Sequence, residues 1–214
     1  MTSSGQTQGV ARDIPTEVKD PGLVSRRRRQ IVDAAVKLFV AKGFHKTTTR
    51  EIARAAGFSI GTLYEYVKSK EDVLYLVCQA IHEEMEQRLS KRLQRGQAGA
   101  QALGTAIEVY ITVCDQMSDH ILLIYQETKS LPKESMRYVL AHDERISAIF
   151  ADLLRQGVGD GSLKSLEDGE LELTAQDITV LGHMWTFRRW ALLKRYSLDE
   201  YIRHQCGLIL GALT

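Results

Sequence analysis

Between Thr48 and Val67 the sequence holds two short helical patterns joined through Ala55-Ala56-Gly57-Phe58. A glycine at the joint accepts a positive φ, and the alanines Ala53 and Ala56 let the two helices approach closely. This spacing is a helix-turn-helix signature, in which the second helix lies in a DNA major groove. The ends carry their own signals. Thr48 with Glu51 three residues later forms a capping box, and Ser59 caps the second helix. Ile52, Ala53 and Ala56 face inward from one helix, and Leu63 from the other.

The flanks extend the helical reading. From Arg26 the apolar residues Ile31, Ala34, Ala35, Leu38 and Phe39 recur at helical spacing, and Gly43 stops the run. Ser69 with Asp72 caps a fourth helix that reaches Leu93 through Val73, Leu74, Val77, Ile81, Met85 and Leu89. The stretch from Arg95 to Gly104 breaks the pattern. Further helices are expected at about Ala102–Met117, Ile121–Lys129 and Glu134–Gln156. A glycine-rich loop follows from Gly157 to Leu173. Two last helices close the chain, Ala175–Arg195 capped by Thr174 with Asp177, and Leu198–Leu213 capped by Ser197 with Glu200. No strand pattern is present, so the fold class is all-α, with about nine helices. The reading divides the chain into a flexible arm (1–24), a helix-turn-helix domain (25–71) and a second helical domain (72–214).

The formal charge of +1 hides an asymmetry. From Val24 to Lys70 there are 11 Lys or Arg against 3 acids, a window of +8 that leaves −7 for the remainder. A basic quarter on an acidic protein is the electrostatic footprint of a polyanion partner. No run approaches the length of a membrane span, and no signal-peptide pattern opens the sequence. The three cysteines, Cys78, Cys114 and Cys206, sit apart in apolar helical patterns and read as buried thiols of a cytoplasmic protein. Nucleophile-elbow, P-loop, His-Glu-x-x-His and Cys-x-x-Cys motifs are missing, and His82-Glu83-Glu84 lacks a second histidine at metal spacing. The reading is therefore not an enzyme, with no cofactor and no metal.

The residues from Arg26 to Leu74, RRRRQIVDAAVKLFVAKGFHKTTTREIARAAGFSIGTLYEYVKSKEDVL, resemble the N-terminal domain of the tetracycline-repressor (TetR) family of bacterial transcription regulators. The likeness rests on a basic opening helix, the Gly-Phe turn, Thr-Thr-Arg-Glu-Ile-Ala, Ala-Gly-Phe-Ser-Ile-Gly-Thr-Leu-Tyr and Ser-Lys-Glu-Asp in order. One departure is Val67, where the family carries Phe. The resemblance implies that Tyr64 places its hydroxyl on a phosphate, that Tyr66 lies beside the same backbone, and that Lys70, Thr48 and Thr49 add phosphate contacts at helix starts. Such contacts position a protein without reading sequence. Base readout would fall to Ser59, Ile60 and Thr62, with Glu65 as a further candidate and Gly61 permitting close approach. Arg26 and Arg27 would extend onto flanking phosphates or a minor groove.

The same resemblance implies a two-part switch, a regulator that binds double-stranded operator DNA as a homodimer and is released by a small-molecule effector. The two heads of such a dimer meet grooves about 34–36 Å apart. The two last helices, with Ile178, Leu181, Trp185, Leu192, Ile202, Leu208, Ile209 and Leu213, are the expected dimer interface, and Gly182, Gly207 and Gly211 would let helices approach there. Candidate effector-binding residues are Tyr110, Met117, Tyr125, Phe150, His183, Trp185, Phe187 and Arg188, with Arg188 or Arg189 meeting an anionic ligand. The segments QETKSLPKE and WALLKRYSLDEYI are similar to those of fatty-acid and acyl-CoA regulators, which makes an acyl-CoA the first candidate effector. A cationic or aromatic drug is the second, with efflux or catabolic genes as targets. A ligand-independent DNA-binding protein is the reading from a different class.

Overall fold

A computed structural model describes residues 14–92 and 97–214. The first half of the expected arm and the start of the expected break after Leu93 lie outside these residues. Among the described residues the chain is helical throughout, with no strand. The helices are α1 (Pro21–Lys42), α2 (Thr49–Ala55), α3 (Ile60–Tyr66), α4 (Lys70–Arg92), α5 (Gly99–Gln116), α6 (Ser118–Glu127), α7 (Lys133–Gly159), α8 (Asp168–Phe187), α9 (Arg189–Leu192) and α10 (Leu198–Leu213), with a 3₁₀ turn at Thr128–Ser130. They form two compact units, one of residues up to Ala80 with Leu123–His142, the other of Ile81–Leu122 with Asp143–Thr214.

In the first unit α1, α2 and α3 pack on one another. Ile31, Ala35, Phe39, Ile52, Leu63, Val67 and Leu74 are each no more than 2% exposed and form its core. Val67, the departure from the family pattern, is one of these fully buried residues. The Phe39 and Phe44 rings meet edge to face at 5.3 Å, and Tyr75 stacks obliquely on Tyr138 at 5.2 Å. Gly57 takes φ +77° and makes the turn between α2 and α3. The caps form as the sequence specifies. Thr48 and Glu51 make a reciprocal box, Ser59 accepts from the Thr62 N–H, and Ser69 and Asp72 exchange bonds at the start of α4.

The basic helix begins earlier than Arg26, at Pro21, where Asp20 caps Gly22 and Leu23. Proline suits this first position because its missing N–H has no helical partner there. Ahead of it Ile14 is 1% exposed, and the Thr16 hydroxyl donates to the Glu65 carbonyl at 2.8 Å. The stretch from Ile14 onward is therefore fastened to the head.

In the second unit α8 and α10 both pack on α5. Leu103, Ile107, Ile111, Ile146, Phe150, Leu154, Ile178 and Trp185 fill the interior. At Gly182 an added Cβ would lie 2.5 Å from Tyr110 Cε1, so the Tyr110 ring packs directly on the α8 backbone. Gly182 therefore serves packing within the chain. Helix α7 runs to Gly159, and α8 opens at Asp168 with Glu167 and Glu170 as its capping box. The loop between them is thus much shorter than the sequence reading had it. Acids in the first turn favour that early start, and Thr174, read as a cap, donates to the Glu170 carbonyl inside the helix. The helix expected to reach Arg195 breaks at Arg188, leaving α9 as a single turn.

Candidate nucleic-acid interface

Two capped helix starts, α2 and α3, build one polar face in the first unit. Thr49 Oγ1 and the Tyr64 hydroxyl are 3.2 Å apart, linking the first residue of α2 to the outer side of α3. Ser59, Ile60, Gly61 and Tyr64 are exposed, and Thr62, half-buried, shares a hydroxyl contact with Ser59 at 3.0 Å. Ile60 and Tyr64, at 38% and 42% exposed, are large apolar groups held in solvent by a short rigid helix. Such a face offers hydroxyl donors and acceptors and a branched methyl group, the chemistry that meets phosphates and thymine methyls. Thr48 is exposed too, with its hydroxyl committed to the capping box. Lys42 draws the Glu51 carboxyl down to about 2, and the Thr48 N–H adds to the effect, so the box is anionic at any physiological pH.

Two residues expected at the phosphates are used internally. Tyr66 is 3% exposed and belongs to the head's core, at helical spacing with Leu63. Lys70 turns back. Its ammonium donates to the carbonyls of Phe44 at 3.0 Å and Thr47 at 3.1 Å and lies 4.3 Å from the centre of the Phe44 ring. It staples the turn ahead of α2, so it supports the Thr48–Thr49 edge from beneath.

The arginine run divides by helix face. Arg26 and Arg29 are exposed. Arg27 stacks on the Phe58 ring at 5.0 Å and bonds Gln30 at 3.1 Å, while Arg28 donates to the carbonyls of Tyr66 at 3.2 Å and Ile14 at 2.5 Å. Arg28 ties the segment before α1 to the end of α3, a role the sequence reading missed. Its position four after Val24 and three before Ile31 was the available signal, since that places it on the apolar side. The other cations left at the surface are Lys37, Lys46, Arg50, Arg54 and Lys68, counted in the basic window but not singled out.

Only part of the expected effector set converges. In the second unit the Tyr110 hydroxyl is 2.9 Å from His183 Nε2, and the Phe150 ring meets Tyr110 edge to face at 5.2 Å. Burial holds His183 neutral, lowering it to about 4. Ser147 and Thr179 pair at 3.0 Å in the same buried interior, and Thr186 donates to the Cys114 carbonyl at 3.2 Å. Phe187 lies at the rim, 6.1 Å from His183 between ring centres and 36% exposed. Met117 is buried, and Trp185 is structural, its N–H donating to Asp115 at 2.8 Å with its ring against Tyr201. Tyr125 is 51% exposed and belongs to the other unit. Arg189 is committed to Asp115 at 2.7 Å and Ser118 at 3.0 Å, and Arg188 stacks outside on Trp190 at 5.0 Å. Neither arginine therefore points an unengaged charge at the Tyr110–His183 cluster.

No described helix is long and apolar enough to cross a membrane. The family model of bacterial regulatory proteins, tetR family, matches residues 31–75, and that of the tetracyclin repressor-like C-terminal domain matches 96–185. The HTH-type transcriptional regulator HbdR of Aromatoleum sp. (strain CIB) is 30% identical over 200 residues, covering 94% of this chain and 85% of HbdR. The HTH-type transcriptional repressor KstR2 of Rhodococcus jostii (strain RHA1) is 26% identical, covering 82% of this chain and 85% of its own length. Among solved structures, AibR in complex with isovaleryl coenzyme A and operator DNA superposes with a TM-score of 0.71 at 18% identity, over 85% of this chain and 97% of that one. HbdR and KstR2 are named as a transcriptional regulator and a transcriptional repressor, not as enzymes. With a DNA-binding head and a ligand-domain match in one chain, this protein belongs to the TetR family of bacterial transcription regulators.

Proposed function

We propose that the chain is a repressor that binds a palindromic operator as a homodimer and is released by an acyl-CoA. The observation that carries the DNA part is the Thr49–Tyr64 contact, which fixes two exposed hydroxyls on one face beside Ser59, Ile60 and Thr62. In this reading Thr49 and Tyr64 bond phosphates, with Arg26, Arg50 and Lys68 supplying charge. Ser59, Ile60 and Thr62 read base edges, and Gly61 lets them approach. Thr48, Arg27, Tyr66 and Lys70 hold that face in place.

The effector reading draws support from two sources. KstR2 is named a repressor, and AibR was captured with isovaleryl coenzyme A and operator DNA. Within this chain, Tyr110 and His183 form a buried hydrogen-bonded pair, a polar handle on which an acyl carbonyl can bond. Helix α4 is one continuous helix from Lys70 to Arg92. The exposed apolar residues Leu173, Val180, Phe187 and Leu208 on α8 and α10 give the dimer its face. Leu208 belongs to the expected stripe, Leu173, Val180 and Phe187 join it, and Ile178, Trp185 and Leu213 of that stripe are buried within the chain. A cytoplasmic location follows from this role.

The test is selection of a duplex from a random pool by the purified protein, followed by titration with short-chain acyl-CoAs. Recovery of an inverted repeat and its release by acyl-CoA support the proposal. Recovery of a repeat that no acyl-CoA releases leaves the DNA part standing and removes the acyl-CoA.

A further inference from the structure

A cleft of about 280 Å³ opens in the second unit between the later half of α4 and α5. Arg88 and Lys91 border it from α4, and Glu108, Thr112 and Gln116 from α5, with Val109 and Val113 beneath. Spaced by four, Glu108, Thr112 and Gln116 form one row along α5. Tyr110 and Cys114 stand two positions on from Glu108 and Thr112, about 200° around the helix. The cleft is therefore on the far side of α5 from the Tyr110–His183 pair. Arg88 bridges the two helices, donating from Nε to Glu84 at 2.7 Å and from Nη1 to Gln116 at 2.6 Å. Its guanidinium is thereby fixed, and among the described residues Nη2 makes no hydrogen bond. Lys91, one turn further along α4, and Glu108 are both exposed. Among the described residues neither side chain has a hydrogen bond or an ion pair, so they line one cleft without meeting each other.

We infer that this cleft is a second small-molecule site, for a free α-amino acid with an aliphatic side chain. The carboxylate meets Lys91 and Arg88 Nη2, and the ammonium meets the Glu108 carboxylate. Thr112 Oγ1 donates to the Glu108 carbonyl at 2.8 Å, which leaves its lone pairs to accept from the same ammonium. Charge selects the class. A phosphate or a dicarboxylate is opposed by Glu108, and a simple amine by Arg88 and Lys91, whereas a zwitterion satisfies both ends. The floor selects the side chain. Val109 and Val113 are 8% and 4% exposed and offer only methyl groups at the base of the cleft. The volume suits a ligand of this size, at the small end of such sites. A bound amino acid adds a second bridge between α4 and α5 to the one that Arg88 makes.

Calorimetric titration of the purified chain with L-leucine tests the site, with 4-methylpentanoate and 3-methylbutylamine as counterparts that each lack one charge. The expected result is one leucine per protomer, bound at least ~10-fold more tightly than either counterpart, since each forfeits a charge-assisted contact. Lys91→Gln and Glu108→Gln each weaken leucine at least ~10-fold. Both residues are exposed, so the variants fold as the parent does, which thermal unfolding checks. No binding of leucine up to ~10 mM, equal binding of 4-methylpentanoate, or binding unchanged in both variants overturns the proposal. Displacement of leucine by isovaleryl coenzyme A also overturns it, because the cleft then belongs to the effector proposed above. None of these failures touches the operator reading, and the acyl-CoA reading has its own titration.

Discussion

The Lys70 ammonium lies 4.3 Å from the centre of the Phe44 ring while donating to the Phe44 and Thr47 carbonyls. One lysine at the start of α4 thereby fixes the turn that presents α2. Lys70→Ala should cost on the order of 1–3 kcal/mol, from the lost charged hydrogen bonds and the cation–π contact. Thermal unfolding checks this, with a fall of several degrees in midpoint. The same variant should weaken DNA binding for every duplex alike, since a loosened head loses position before it loses sequence.

Tyr64→Phe removes the exposed hydroxyl that meets Thr49 and leaves the ring. The head should keep its stability within about 0.5 kcal/mol, as surface changes do. Binding should weaken severalfold with no change in sequence preference. Thr62→Val should do the reverse, altering which duplexes are preferred. Competition between selected and scrambled duplexes separates the two variants.

Gly182→Ala would place a methyl 2.5 Å from Tyr110 Cε1 and 2.9 Å from Cys114 Sγ. Both neighbours are buried, so the ring must move or the helices must part. The expected loss is about 1–3 kcal/mol, the usual range for overpacking. Gly207→Ala, on an open face, should leave the stability of a folded protomer unchanged. Denaturant titration of the two variants side by side gives the comparison.

His183 predicts a pH dependence. Burial lowers it to about 4, while the unfolded chain titrates near 6.5. The unfolded state therefore binds the proton first. The group's contribution is complete above pH 6.5 and is lost as the pH falls toward 4, amounting to on the order of 3 kcal/mol. His183→Asn keeps a hydrogen-bonding partner for Tyr110 and should flatten that part of the stability profile.

Thiol labelling checks the interior of each unit, Cys78 in the first and Cys114 in the second. Cys78 and Cys114 are fully buried, and desolvation raises each to about 12, which suppresses the reactive thiolate. Cys206 is partly accessible. A native sample should label slowly at Cys206 alone, and a denatured one at all three cysteines.

The head was legible because its signals are local. Thr48 with Glu51, Ser59 with Thr62, and Ser69 with Asp72 each sit within three residues, and Gly43 and Gly57 mark the two turns that take positive φ. Lys70 and Arg28 were misread or missed because their partners lie 23 to 38 residues away, at Thr47 and Tyr66. The periodicity that buries Leu63 and Val67 also buries Tyr66, but the family likeness drew that tyrosine outward. In the second unit the density of glycines concealed a helix start. Glu167 with Glu170 is a capping box as good as the Thr174–Asp177 pair preferred to it. Which face of α8 stays open could not be read from spacing, because α8 is apolar on two sides and only packing on α5 distinguishes them.

The most direct measurement is the anisotropy of a labelled inverted-repeat duplex selected by this protein, followed as isovaleryl coenzyme A is added. The account predicts two protomers bound per duplex and release by the acyl-CoA, with free coenzyme A much less effective. It also predicts that Tyr110→Phe, which breaks the bond to His183, still binds the duplex but needs more acyl-CoA for release. A duplex that stays bound through a series of acyl-CoAs of increasing length, or release that is unchanged by Tyr110→Phe, would contradict it.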